Sequence, residues 1–111
     1  MVINENVLRF GLKEHDIDLI SGVFSKYPEI KEVIIYGSRA KGNYKPGSDI
    51  DLVIKGTPIF MDIIAEIKFK LEEDLPLPYF FDVADFNSIN NPELIEHINR
   101  VGKIFYKAVN K

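Results

Sequence analysis

An α+β fold, with a small mixed β-sheet and helices packed on one face of it, is what this sequence predicts. Short apolar runs rich in β-branched residues, Val33-Ile34-Ile35-Tyr36 and Ile50 to Ile54, alternate with segments whose apolar residues recur every three or four positions. Proline or glycine stands where one period gives way to the other, as at Pro28, Gly56 and Gly102.

Each element follows from local signals. Ile17, Ile20, Val23, Phe24 and Tyr27 recur at helical spacing and Pro28 closes the segment, which predicts a helix over Lys13–Tyr27. The first strand is expected over Glu32–Tyr36 and the second over Asp49–Lys55, ending at Gly56. Thr57-Pro58 has the form of an N-cap followed by proline at the first helical position. Phe60, Ile63, Ile64, Ile67 and Leu71 then supply one apolar helix face, which Leu75-Pro76-Leu77-Pro78 terminates. Tyr79–Phe86, rich in aromatic and β-branched residues, predicts a third strand with Asp82 on the same face as Phe80 and Ala84. Asn91-Pro92 repeats the helix-start signal, Leu94, Ile95, Ile98 and Val101 form the stripe, and Gly102 is the stop. Ile104-Phe105-Tyr106 reads as a short extended return to the sheet, and residues 1–11 as a loosely held arm.

Composition limits the function classes. At 111 residues and 46% hydrophobic, residues 1–111 are expected to form one domain with a core large enough to fold unaided. A net charge of -3 with no basic stripe argues against tight nucleic-acid binding by this chain alone, because neutralising phosphates needs a basic face. With zero cysteines there is no disulfide, no thiolate metal site and no cysteine nucleophile. No apolar run is long enough to span a bilayer, and Met1-Val2-Ile3-Asn4-Glu5 lacks the basic-then-apolar pattern of a secretory signal. A cytoplasmic location is therefore expected.

The candidate site lies in two motifs. Ten residues separate Gly37-Ser38 from Asp49-Ile50-Asp51. Side chains alternate along a strand, so Asp49 and Asp51 project from one face, about 7 Å apart, while Ile50, Leu52 and Ile54 fill the other. Asp82, inside an otherwise apolar strand, is the best third acid; Asp85 competes but points to the opposite face. Three such carboxylates repel one another unless a cation neutralises them, and hard oxygen donors of this kind suit Mg²⁺. Gly37-Ser38 sits where a chain leaving a strand for a helix offers free backbone N–H groups to phosphate. Phosphate on one side and metal on the other describes a nucleoside triphosphate.

Rival readings of these residues are weaker. The turn lacks both the Gly-x-Gly-x-x-Gly of a dinucleotide fold and the Gly-Lys-Ser/Thr of a P-loop. An EF-hand fails because Val53 stands at the third ligand position. Arg39 and Lys41 lie beside the turn, where they could steer phosphate, although basic residues in such places usually serve solubility. His15 and His97 fall on helices away from the motifs and read as helix-face residues rather than catalysts.

Gly37-Ser38, Asp49-x-Asp51 and a later strand acid together resemble the nucleotidyltransferase superfamily that includes DNA polymerase β, and within it the minimal, MntA-type nucleotidyltransferases. The resemblance implies the nucleotidyltransferase fold, with Gly37 and Ser38 at the triphosphate; Arg39 and Ser48, close to these motifs in the sequence, are expected as further nucleotide contacts. It also implies that Asp49, Asp51 and Asp82 hold two Mg²⁺ ions, with Asp82 helping to activate the attacking hydroxyl. The implied reaction is transfer of AMP from ATP. Larger relatives attach a helical domain that recognises the acceptor, and nothing after Asp82 is long enough to form one. The acceptor is then expected to be a partner, a small helical HEPN-type protein paired as toxin with this chain as antitoxin. The alternative is a catalytically inactive nucleotide-binding module that neutralises such a partner by contact alone.

Overall fold

The computed structural model describes residues 8–109. Its centre is a four-stranded sheet built round β3 (Ile30–Tyr36), which is flanked on both sides by antiparallel partners: β4 (Ile50–Gly56) and β6 (Lys103–Lys107). β5 (Phe81–Asp85) adds to β4 in parallel, so the order is β5-β4-β3-β6 and the sheet is mixed. A parallel pair cannot be closed by a tight turn. The β4–β5 crossover accordingly carries α3 (Met61–Phe69), which continues as one π-helical turn over Lys70–Asp74 before Pro76 and Pro78 stop it.

Alternation along β3 and β4 divides the core in two. Val33 and Ile35 of β3 with Ile50, Leu52 and Ile54 of β4 face α1 (Glu14–Phe24), α3 and the π turn, meeting Ile17, Ile20, Phe24, Ile67 and Leu71. Ile34, Tyr36 and Val53 point the other way, onto Ile98 of α4 (Pro92–Val101). The sheet and helices are of the expected class, but the helices are not confined to one face as expected: α4 covers the other. It sits there because it must bury Leu94, Ile98 and Val101, and β3 offers apolar side chains on both faces.

The element boundaries differ from expectation in physically informative places. β3 begins two residues early, at Ile30, and α1 stops at Phe24, where Ser25, Lys26 and Tyr27 wind down through turn hydrogen bonds. Thr57 is not a helix cap: its hydroxyl donates to the Glu29 carbonyl, and α3 starts only at Met61. Phe60 is therefore exposed rather than part of the buried helix face. The third strand is shorter than Tyr79–Phe86, because Asp85 ends it by capping a 3-10 turn over Phe86–Ser88. Asn91 caps α4 as expected, accepting from the Glu93 and Leu94 N–H groups. Gly102 ends it in extended backbone and not in the left-handed conformation.

Of the expected loose arm, residues 1–7 lie outside the described residues, and Leu8 onward is a tight hairpin. β1 (Leu8–Arg9) pairs with β2 (Leu12–Lys13) through a two-residue turn, Phe10-Gly11, in which both residues have positive φ. Such a turn matches the right-handed twist of the strands it joins.

Candidate active site

Register brings the acids together. Asp51 lies directly opposite Tyr36 on β3 and directly beside Asp82 on β5, so Tyr36, Asp51 and Asp82 stand abreast on one face across three adjacent strands. Adjacent strands are about 4.8 Å apart, which puts Asp82 nearer to Asp51 than Asp49 would be along a strand. Asp49 precedes β4, is exposed, and acts on Asp51 through space. Burial raises the Asp51 carboxyl above its ordinary range first, and the negative charges of Asp82 and then Asp49 push it further, while His97 and Arg39 oppose the shift.

The glycine of the turn is set against the same carboxylate. Gly37 opens α2 (Gly37–Lys41) with φ +72°, and a Cβ there would run into Asp51 Oδ2. Only glycine allows both the left-handed backbone and the close approach. Ser38 follows, half-buried, with its carbonyl accepting from Gly42 N–H at 2.9 Å. Ser48, the other expected nucleotide contact, holds its own loop: its hydroxyl accepts from Lys45 N–H at 2.9 Å and its N–H donates to the Lys45 carbonyl at 3.0 Å.

Arg39 differs from expectation. It is only 3% exposed, and its Nε and Nη2 donate to the Ser48 carbonyl while Nη1 donates to the Phe10 carbonyl. The rings of Tyr44 and Tyr79 lie 5.3 and 4.9 Å from the guanidinium. Three of its five N–H donors are thus spent on backbone carbonyls, and the rings flank its plane. Lys41 is exposed. Asp85, the rival third acid, is buried and occupied: it accepts from the N–H groups of Ile59 and Asn87, the Asn87 amide and the Ser88 hydroxyl.

Two neighbours of the acids escaped the sequence reading. Tyr36 is buried, and burial, with Asp82 and Asp51 adding, pushes its phenol up to about 12. His97 is not remote from the motifs: α4 lays its ring edge-on to Tyr36 at 6.1 Å, within range of Asp51. His15 is exposed at the start of α1, as expected. Tyr36 was recoverable in principle from its place next to Gly37, whereas His97 carried no local signal because its proximity depends on which sheet face α4 covers.

Among the described residues, no three His, Cys, Asp or Glu side chains stand close enough together to hold a metal ion by themselves. The donor set nevertheless fits Mg²⁺, which takes one or two carboxylates together with substrate phosphates and does not need an all-protein cage. Burial is the first cause of the upward shift of Asp51, and a bound cation would offset the part that Asp82 and Asp49 add.

A family model described as polymerase beta, nucleotidyltransferase matches residues 18–110. The chain belongs to the polymerase beta nucleotidyltransferase family. Its solved structural neighbours agree with that fold. A toxin-antitoxin structure with AMP-PNP superposes with a TM-score of 0.69 at 21% identity, over 83% of this nucleotidyltransferase chain and 73% of that one. A mutant MntA-HpeT toxin-antitoxin structure gives 0.67 at 18% identity, over 84% and 73%. A structure from Sulfolobus solfataricus described as a nucleotidyltransferase gives 0.51 at 24% identity, over 82% and 76%. No curated protein matches the nucleotidyltransferase chain by sequence.

Proposed function

We propose that this protein is a Mg²⁺-dependent adenylyltransferase that moves AMP from ATP to a hydroxyl side chain, in the first instance a tyrosine, on a small helical HEPN-type partner, and that it serves as the antitoxin of that pair. The observation that carries the chemistry is the in-register placement of Asp51 beside Asp82, with the Gly37 turn against Asp51. Supporting the partner is the description of two structural neighbours as toxin-antitoxin structures, one of them with AMP-PNP. In this reading the acceptor oxygen bonds to the α-phosphorus, the bond to the β-bridging oxygen breaks, pyrophosphate leaves, and the hydroxyl proton passes to Asp82. Gly37 and Ser38 hold the triphosphate at the strand-to-helix turn, and Asp49, Asp51 and Asp82 would hold up to two Mg²⁺ ions. Bound metal would neutralise charge on the entering and leaving oxygens.

Mass spectrometry of the partner after co-expression tests the reading. One or more AMP increments with wild type, lost with Asp49→Asn plus Asp51→Asn, are expected. A stable complex with no increment would instead support masking by contact.

A further inference from the structure

Arg39 joins four parts of the chain that are far apart in sequence. It follows Ser38 in α2, grips the Ser48 carbonyl with two donors at 3.0 and 2.8 Å, holds the Phe10 carbonyl at 2.8 Å, and lies against Tyr79 just before β5. The Ser48 carbonyl belongs to the peptide that leads directly into Asp49. The hairpin turn is pressed onto the same group: a Cβ on Gly11 would stand 2.8 Å from Arg39 Nη1 and 2.7 Å from Tyr44 Cζ. Phe10, a non-glycine residue, holds φ +59° there, a conformation that is unfavourable for L-residues and persists only where surrounding contacts hold it. The hairpin precedes residue 18, where the family match begins. The site is thus braced by a segment outside the matched residues.

We propose that Arg39 is a positioning residue and not a phosphate ligand: it sets Asp49 through Ser48, aligns the start of the Asp82 strand through Tyr79, and is itself held in place by the Phe10-Gly11 hairpin. This rests on the reading of Asp49, Asp51 and Asp82 as metal ligands. A residue that touched phosphate directly would weaken nucleotide binding with or without metal. A residue that places Asp49 weakens mainly the metal-dependent part.

Calorimetric titration of the full chain with ATP, in the presence of Mn²⁺ or of EDTA, separates these cases, with circular dichroism and melting to verify folding. Arg39→Lys keeps the charge but loses the two-donor grip and the stacking; its Kd for ATP with Mn²⁺ should rise tenfold or more, while the Kd in EDTA changes less than twofold. Gly11→Ala, remote from the acids, should shift binding in the same direction and covers the case in which Arg39→Lys fails to fold. Equal losses with and without metal, or wild-type binding by folded Gly11→Ala and Arg39→Lys proteins, would overturn the proposal. Asp51→Asn is the separate control: if it binds ATP with Mn²⁺ as wild type does, the metal-ligand reading fails and takes the proposal with it. Loss in Asp51→Asn with none in the folded Arg39→Lys and Gly11→Ala proteins overturns the proposal alone.

Discussion

Replacing Gly37 by alanine should damage the site far more than the fold, and a matched substitution at Gly42 isolates the reason. Gly37 has φ +72° and Gly42 φ +91°, so alanine at either position meets a similar left-handed penalty of about 1–2 kcal/mol. A domain of this size loses roughly 4–8 °C of Tm for each kcal/mol. Both variants should therefore melt roughly 4–16 °C below wild type. They differ in what the new methyl meets. At Gly42 nothing lies within 4 Å, whereas at Gly37 the methyl runs into Asp51 Oδ2. A carboxylate at the end of a side chain can rotate away at little cost in stability, but it then leaves its place beside Asp82. Gly37→Ala should consequently lose metal-dependent ATP binding by at least tenfold, and Gly42→Ala should keep it. Differential scanning calorimetry and titration with Mn²⁺ and ATP give both readouts. Equal nucleotide affinity in the two variants would refute the claim that Gly37 exists to make room for Asp51.

Other expectations follow from the same geometry. Because the folded-state Asp51 carboxyl is raised, the native chain binds more protons than the unfolded chain between the ordinary aspartate range and the raised value, so this group makes stability fall as pH climbs through that window. Asp51→Asn should remove that slope and raise the metal-free Tm at neutral pH; a lower Tm there would contradict the repulsion. Asp85→Ala should cost about 1–3 kcal/mol in urea unfolding, since it strands the buried donors that the carboxylate satisfies, whereas Asp82→Asn should leave stability intact and abolish transfer. The reverse pattern would exchange their roles. Tyr36 and His97 should show a coupling of about 0.5–1.5 kcal/mol in a double-mutant cycle of Tyr36→Leu and His97→Ala, and no coupling would mean that their edge-on contact does not hold α4 to the acid face.

Much of this protein is determined locally. The period of apolar residues, with Pro28, Gly56 and Asn91-Pro92 as punctuation, is enough to place all four strands of the main sheet and three helices to within a few residues, because hydrogen-bonding geometry imposes those periods on any buried segment. The spacing of Gly37-Ser38 and Asp49-x-Asp51, with Asp82 in an apolar strand, likewise marks a candidate site in the sequence alone. Local pattern misleads where a side chain has a distant partner. Thr57 looks like a cap but bonds Glu29, and Arg39 looks exposed but is enclosed by Phe10, Ser48, Tyr44 and Tyr79. Register between strands, the sheet face that α4 covers and the hairpin that braces Arg39 are relations between segments remote in sequence. They are decided by burial of the whole apolar surface at once, which is why Tyr36 and His97 joined the site only when the chain was folded.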